Sequence, residues 1–441
     1  MAETNSTERF SSLTTMIIAT AGVAIGLGNI WRFPYMMMDY GGAAFLLVYL
    51  VIVFLIGIPA LMAELALGRH TRHGPMGAFA EVRMPGSSLI SGVLLLTIFM
   101  ACSYYGVILA QVLASAFEYS RHVLLARDAP IFDASKIGFW HTMTFVAVTS
   151  LLCCGALMFG VKRGIERLSM IALPVFFLMF VILIIRVLTL PGAMAALTDY
   201  LKPNMKAFQP ETFLAALGQA FFSMGLGGTL MVTYGSYMRR EDAIPKAAVV
   251  TAMTDMLAAV MAGMIVIPAA LALSVNLGGG GPSLFFVVMP QVFEVMPSGT
   301  LFSSIFFVSV FIVALLSLMA GYEVIVSAAN QKLGLSRRTT LSIIFVSQIL
   351  LAIPALTIGS YIQYSDLIWG STMHPVGCAF AVIAFAWCLN RATALQAISP
   401  GSELPFKNLL IVWLRYVIPV TIIVIIVGGW WPTVSSWLSG G

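Results

Sequence analysis

Apolar runs of about 20 residues recur along the whole chain and constrain its fold more than any other feature. Each run is long enough to cross the roughly 30 Å hydrocarbon layer of a bilayer as a helix. None alternates polar and apolar residues over about ten positions, as the strands of a membrane barrel do. The sequence therefore predicts an all-α membrane protein with one transmembrane domain over residues 1–441. The eleven predicted spans cover residues 12–36, 41–68, 87–117, 139–160, 166–189, 211–238, 244–274, 301–333, 339–358, 362–389 and 407–432.

The charge of the chain fits the same interpretation. Charged residues make up 9% of the sequence, whereas a soluble domain carries roughly 25%. With the N-terminus in the cytoplasm, most of the 23 Lys and Arg fall on cytoplasmic segments, which is the positive-inside bias of membrane proteins. The net charge of +5 thus reflects topology, and no nucleic-acid partner is expected. We predict a multi-pass protein of the inner membrane with a cytoplasmic N-terminus and no cleaved signal peptide.

The order of the spans predicts an internal repeat. Spans one to five occupy about 12–189, and spans six to ten occupy about 211–389, with one extra helix at about 407–432. Because five is an odd number, the second block enters the membrane from the opposite side. Such inverted repeats are typical of secondary transporters, which bind their substrates near the bilayer midplane between discontinuous helices.

Glycine clusters predict a helix break early in each block. Residues 21–29 of the first span contain three glycines within seven residues, and residues 223–229 of the sixth span contain three more. An unwound stretch frees backbone groups that lipid cannot satisfy, so it is tolerable only around a cavity. Carbonyl groups at the end of one half-helix suit a cation, and amides at the start of the next suit a carboxylate. An amino-acid zwitterion and a sodium ion together would satisfy both.

At this point the residues resemble the neurotransmitter:sodium symporter family, whose bacterial members mostly carry amino acids. The resemblance covers nearly the whole chain. It implies a five-plus-five inverted repeat in which helices 1 and 6 are unwound. The segments that carry it are Ala21–Pro34, Asp39–Phe45, Gly57–Pro59 with Glu64 and Gly68, Tyr104–Tyr105, Gly164–Arg167, Gly218–Ser223 and Thr233–Tyr237.

The resemblance implies a first sodium site with one unusual ligand. Its members would be the Ala24 carbonyl, Asn29, Ser223 and the position of Asp255, where asparagine is more usual. Chloride-dependent relatives use the anion to balance two sodium ions, and a fixed carboxylate can supply the same charge. A buried acid within a membrane is a functional hypothesis by default. We therefore expect transport that needs no chloride.

A second sodium site implied by the resemblance lacks one ligand. It would use the carbonyls of Gly22, Ile25 and Val313 and hydroxyls at positions 316 and 317, but the pair reads Leu316-Ser317. Sodium needs about five or six oxygens by analogy with other hard cations. Three alternatives therefore stay open: a second ion binds, water completes its shell, or a proton replaces it. The expected cofactor is one or two Na+ ions.

The resemblance also implies where the substrate lies. Amine-carrying members have an acid at the position of Gly26, so a glycine there indicates a substrate with its own carboxylate. The amides of Leu27 and Gly28 with the Tyr105 hydroxyl would hold that carboxylate, and the carbonyls of Ala24, Phe222 and Ser223 would hold the ammonium group. The unwound stretch around Gly225 belongs to the same site. The side-chain pocket would be lined by Ala101, Tyr105, Phe222, Gly228, Ser317, Leu318 and Gly321.

Two of these positions, Gly228 and Gly321, carry larger apolar residues in a bacterial relative. Each methylene that a substrate buries contributes roughly 0.8 kcal/mol. We therefore predict a bulky apolar or aromatic amino acid.

The gates follow from the same comparison. An ion pair between Arg32 and Asp366 would close the outer side, above a lid of Tyr105 and Phe222. On the inner side, the charged pair of the family is replaced by neutral residues at positions 7 and 331. Arg9, Phe10, Ser236 and Tyr237 remain as closing contacts. We expect the inner gate to open more readily than in relatives.

The sequence also bears on three other functions: an intramembrane enzyme, a proton-coupled transporter and a sensor. The five histidines do not supply the dyad or metal cluster of an intramembrane enzyme, and the five cysteines all fall within predicted spans as packing residues. We therefore expect no enzyme. A proton-coupled transporter and an amino-acid-binding sensor on the same frame are the alternatives. The sequence does not predict the oligomeric state.

Overall fold

A computed structural model describes residues 9–203, 210–272, 284–399 and 406–438. Within these ranges the secondary structure is helical, apart from an isolated β-bridge between Gly42 and Pro203. Nine helices in the described ranges are long and apolar enough to cross a membrane. They are Ala43–Thr71, Ser87–Leu124, Phe139–Leu157, Val161–Leu188, Ile244–Ala272, Gly299–Leu333, Arg337–Thr357, Tyr361–Cys388 and Lys407–Gly428. We number them spans 2, 3, 4, 5, 7, 8, 9, 10 and 11.

The two remaining spans are each broken into two helices. Span 1 consists of Leu13–Ala24 and Gly28–Asp39, which meet at an angle of 53°. Span 6 consists of Pro210–Ser223 and Leu230–Ser236, and at 1.5 Å per residue neither half reaches the roughly 30 Å that crossing requires. All eleven predicted spans thus correspond to helical segments, and both predicted breaks are present. The fold class predicted from the sequence is confirmed.

The break in span 1 follows from its local sequence. The first half begins at Ser12, whose side chain accepts a hydrogen bond from the Thr15 amide at 3.1 Å. It ends at Ile25, which has an extended backbone. The amide of Gly26 donates to the side chain of Asn29 at 3.0 Å. The asparagine therefore replaces the carbonyl that an unbroken helix would have offered to this amide.

The break in span 6 depends on glycine. Gly225 and Gly228 have φ angles of +64° and +69°, which are in the left-handed region that residues with a Cβ atom rarely adopt. The chain leaves the helix after Ser223 and re-enters it at Leu230. The two glycines therefore fix where this span unwinds.

Short helices and a lipid-facing surface complete the bundle. The connecting helices are Pro75–Glu81, Ala193–Tyr200, Met289–Val295 and Arg391–Ile398. Large apolar side chains such as Leu47, Leu151 and Val424 are more than half exposed. In a chain with these spans, such side chains are suited to face lipid.

Spans 2 and 6 approach each other closely, and this contact holds the second half of span 6 in place. A Cβ atom placed on Gly68 would lie 1.9 Å from the carbonyl oxygen of Val232, and one on Gly235 would lie 2.4 Å from that of Leu65. Small residues allow such backbone contact between membrane helices. The contact lies directly beyond the unwound segment, so it fixes that segment from one side.

We therefore predict that Gly68→Ala destabilises the protein. Because the added methyl group would meet backbone, which cannot rotate away, we expect a loss of about 1–3 kcal/mol or more. The measurement is the thermal midpoint of the purified variant in detergent. The control is Gly106→Ala, since a Cβ atom there would have no neighbour within 4 Å. Equal midpoints for the two variants would contradict this packing.

Candidate substrate and ion site

A cavity lies between the two helix breaks, lined by residues of both unwound segments. Ten of the twelve predicted substrate contacts line it, together with Leu318. The ten are Ala24, Gly26, Leu27, Gly28, Ala101, Tyr105, Phe222, Ser223, Gly225 and Ser317. Six further lining residues escaped the sequence analysis: Val23, Ile98, Cys102, Tyr104, Leu230 and His374.

The backbone of span 1 forms one wall of the cavity. The Leu27 amide and the Tyr105 hydroxyl converge at 3.4 Å, and this hydroxyl also lies 3.3 Å from the carbonyl of Ala314. A Cβ atom on Gly26 would lie 2.8 Å from the Ser317 hydroxyl and 2.9 Å from that of Tyr105. A side chain at position 26 would therefore displace one of these hydroxyls, and glycine itself supplies no acid. A charged amine would find no carboxylate there.

A buried polar cluster lies beside this wall, where the first sodium site was predicted. Asp255, on span 7, is fully buried, and its Oδ1 accepts hydrogen bonds from the Asn29 amide group and the Ser223 hydroxyl, both at 2.7 Å. Its Oδ2 accepts a longer one, at 3.4 Å, from Tyr49 of span 2. The cluster therefore joins both broken spans through one carboxyl group. Tyr49 was not predicted, because nothing in the sequence shows that span 2 faces span 7 here.

The second predicted ion position is arranged differently from the expectation. The Ser317 hydroxyl lies within hydrogen-bond distance of two carbonyls, Val23 at 3.0 Å and Ile25 at 3.2 Å. The Val23 carbonyl was not among the predicted ligands, whereas Gly22, Ile25 and Val313 were. Leu316 packs against Gly22, since a Cβ atom on that glycine would lie 2.8 Å from a methyl group of the leucine. The apolar side chain of Leu316 thus occupies the position at which the resemblance implied a hydroxyl.

Gly228 and Gly321 do not line the cavity. The inference that their small size makes room for a bulky substrate is therefore corrected. A Cβ atom on Gly228 would lie 2.6 Å from the carbonyl oxygen of Gly377, and one on Gly321 would lie 2.3 Å from the sulfur of Cys102. The space beside both glycines is therefore filled by protein. Neither of them enlarges the cavity.

The predicted outer ion pair is not formed in this structure. Arg32 donates to the hydroxyl of Ser371 at 2.9 Å and lies over the ring of Phe222, 5.0 Å from its centre. Asp366 instead accepts a hydrogen bond from Tyr104 at 3.1 Å. The closing role of the pair stays a prediction. Phe222, under the guanidinium group, still lies in the wall where a lid was predicted.

The inner side is closed by aromatic and backbone contacts. The Phe10 amide donates to the Tyr237 carbonyl at 3.1 Å, and the rings of these two residues pack edge to face. The Tyr237 hydroxyl donates to Glu323 at 2.8 Å, and Glu323 also forms an ion pair with Arg337.

The other residues of the predicted inner gate make local contacts. Gln331 bonds Ser327 at 3.2 Å, while Ser236 bonds the carbonyl of Thr233 within its own helix at 2.6 Å. Arg9 is exposed. Position 7 lies outside the described residues. The ease with which this gate opens stays a prediction.

A carboxylate on span 2 supports the break in span 6. Glu64 is fully buried, and its Oε1 accepts hydrogen bonds from the amides of Gly227 and Gly228, both at 3.0 Å. An unwound segment within a membrane must find such partners for its freed amides. The sequence analysis quoted Glu64 as part of a motif without assigning it this role.

A sequence profile described as the sodium:neurotransmitter symporter family matches residues 7–126 and 111–432. The chain belongs to this family. Family membership makes it a multi-pass membrane protein of a class of transporters, as the resemblance implied.

Individual relatives agree with the profile. A sodium-dependent transporter of Bacillus subtilis, YhdH, is 30% identical over 95% of this chain and 96% of its own length. One of Haemophilus influenzae is 29% identical over 96% of this chain and 99% of its own. A crystal structure of the protein MhsT in complex with L-phenylalanine matches with a TM-score of 0.87 and 32% identity. That match covers 95% of this chain and 98% of MhsT.

We predict that Glu64→Ala destabilises the protein and abolishes any binding of amino acids at this cavity. Alanine would leave the amides of Gly227 and Gly228 buried without a partner, at about 1–3 kcal/mol each. The matched control is Glu64→Gln, which keeps an acceptor oxygen and should retain most of both properties. Thermal midpoints and amino-acid binding to the purified variants give the comparison. Equal losses in the two variants would show that the hydrogen bonds are not what Glu64 contributes.

Proposed function

We propose that this chain is a sodium-coupled symporter that carries an amino acid into the cell by alternating access. One observation carries the proposal. Two interrupted spans bring unwound backbone to the same cavity, and the buried Asp255, Asn29 and Ser223 cluster lies beside it. Family membership and the similarity to MhsT, whose structure holds L-phenylalanine, support it.

The cavity suits a zwitterion. The amides of Leu27 and Gly28 would hold the substrate carboxylate with the Tyr105 hydroxyl, and the carbonyls of Ala24, Phe222 and Ser223 would hold its ammonium group. Because Gly26 supplies no acid, the substrate would bring its own negative charge. An α-amino acid meets this requirement, and a simple amine does not.

The substrate is a bulky apolar or aromatic amino acid in this proposal. The cavity lining supports this choice of substrate, because Ile98, Leu230 and Leu318 contribute apolar surface to it. Each buried methylene of the substrate would contribute roughly 0.8 kcal/mol. The ring of Phe222 offers a face on which an aromatic side chain can pack.

Sodium would couple to the substrate through the shared break in span 1. The first ion site takes the Ala24 carbonyl, Asn29, Ser223 and Asp255, and the substrate takes groups of the same unwound segment. Binding of the ion would order these groups for the amino acid, so the affinity of each depends on the other. Phe222, held beneath Arg32, would close over the bound pair before the inner contacts of Tyr237 open.

The carboxyl group of Asp255 would replace chloride. In its ionised form it would place a negative charge beside the ion, and it contacts both broken spans. A transporter with such a fixed charge needs no anion from solution to compensate sodium. By the same proposal the chain lies in the inner membrane with its N-terminus in the cytoplasm.

The test is uptake into proteoliposomes that contain the purified protein. We expect accumulation of L-phenylalanine or L-leucine under an inward sodium gradient, at equal rates in chloride and in gluconate. Flux that follows a proton gradient without sodium would instead support proton coupling, the alternative that Leu316 leaves open. Sodium-dependent binding without any flux would favour a sensor.

The control for the chloride argument is Asp255→Asn. The neutral variant loses the compensating charge, and removing one partner of a buried charge pair costs about 3–5 kcal/mol. We expect uptake in gluconate to fall about tenfold or more, with partial recovery in chloride. Uptake that depends on chloride in the unchanged protein would contradict this assignment.

A further inference from the structure

The second ion position has lost a hydroxyl at Leu316, and another buried hydroxyl lies next to the same glycine. Ser169 is on span 5 and is fully buried. Its Oγ would lie 3.2 Å from a Cβ atom on Gly22, beside the methyl group of Leu316 at 2.8 Å. The remaining neighbour on that face is a methyl group of Leu173. Ser169 therefore supplies the polar atom on a face of Gly22 that is otherwise apolar.

The hydroxyl of Ser169 has no hydrogen-bond partner within the described part of the chain. This is unusual, because serine in a membrane helix normally bonds the carbonyl one turn earlier. Other hydroxyls in these spans do so: Thr20 bonds Met16, and Ser115 bonds Gln111, both at 3.1 Å. A fully buried hydroxyl without a partner costs about 1–3 kcal/mol. Such a group can accept a ligand, and Ser169, unlike Ser303, lies beside the second ion position.

We propose that Ser169 is a ligand of the second sodium ion and replaces the hydroxyl lost at Leu316. The other ligands would be the carbonyls of Gly22, Ile25 and Val313 and the hydroxyl of Ser317. These give five oxygens with Ser169, which meets the requirement of a hard cation. The inference rests on the proposed sodium coupling and extends it to two ions, with one ligand from span 5 that family resemblance does not assign.

The fit of these groups to a cation can be judged from the contacts. The Ser317 hydroxyl already lies within 3.0 to 3.2 Å of two carbonyls of span 1, including that of Ile25. Three oxygens therefore converge at the end of the first half-helix, where the helix dipole is negative. Ser169, on span 5, approaches the same half-helix at Gly22.

The experiment is a sodium titration of thermal stability with purified protein, at constant ionic strength with potassium. An ion that binds the folded state raises the thermal midpoint, so the titration needs no known substrate. In Ser169→Ala, we expect the sodium concentration at half-effect to rise about fivefold or more, because a bond to a charged group is lost. We also expect the steepness of the titration to fall toward that of one ion.

The matched control is Ser303→Ala. Ser303 is also buried and its hydroxyl also lacks a partner among the described residues, but it lies on span 8 roughly 21 Å from Ser317 along the helix. This variant should titrate like the unchanged protein. A rescue follows from the same logic: adding Leu316→Thr to Ser169→Ala should restore most of the lost sodium affinity.

A second readout serves if the alanine variant cannot be purified. In Ser169→Cys, sodium should slow alkylation of the new thiol about fivefold or more relative to potassium, whereas Ser303→Cys should react equally in both salts. A sodium titration of Ser169→Ala that matches the unchanged protein would overturn the inference and leave the proposed function standing. A protein that sodium does not stabilise at all, relative to potassium, would contradict the proposed function itself.

Discussion

Every backbone group that a helix break frees within a membrane must find a partner, and this constraint organises the structure. Gly26 finds Asn29, and Gly227 and Gly228 find Glu64. Leu27 donates to the Tyr105 hydroxyl, and the carbonyls of Val23 and Ile25 lie within hydrogen-bond distance of Ser317; these side chains line one cavity. In lipid such groups would cost several kcal/mol each. Their persistence around a cavity is what makes a polar, charged ligand the reasonable occupant.

Close backbone contacts hold the two breaks in position. Gly68 and Gly235 bring spans 2 and 6 together, and Gly377 does the same for span 10 beside the unwound segment. Gly227 donates to a carboxylate on one of these neighbours and packs against the other. The unwound residues of span 6 are therefore surrounded by rigid helices. These contacts hold the span 6 side of the site in place, which limits the entropy lost there on binding.

The sequence predicted the spans and the breaks because both depend on local composition. Apolar runs set the spans, and glycine clusters set the breaks without reference to other parts of the chain. Tyr49, His374 and Ser169 could not be predicted, since their roles depend on which span lies beside which. The argument from Gly228 and Gly321 failed for the same reason: Gly377 and Cys102 occupy the space that each glycine leaves. For the same reason the sequence did not predict that Arg32 bonds Ser371 or that Asp366 bonds Tyr104.

In the proposed mechanism, main-chain groups at the two breaks bind the substrate together with sodium. Hydrogen exchange of the amides of Leu27 and Gly28 in purified protein tests it most directly. The account predicts rapid exchange in potassium, and strong protection only when sodium and a transported amino acid are both present. Equally slow exchange in every condition, as in the uninterrupted span 3, would contradict it.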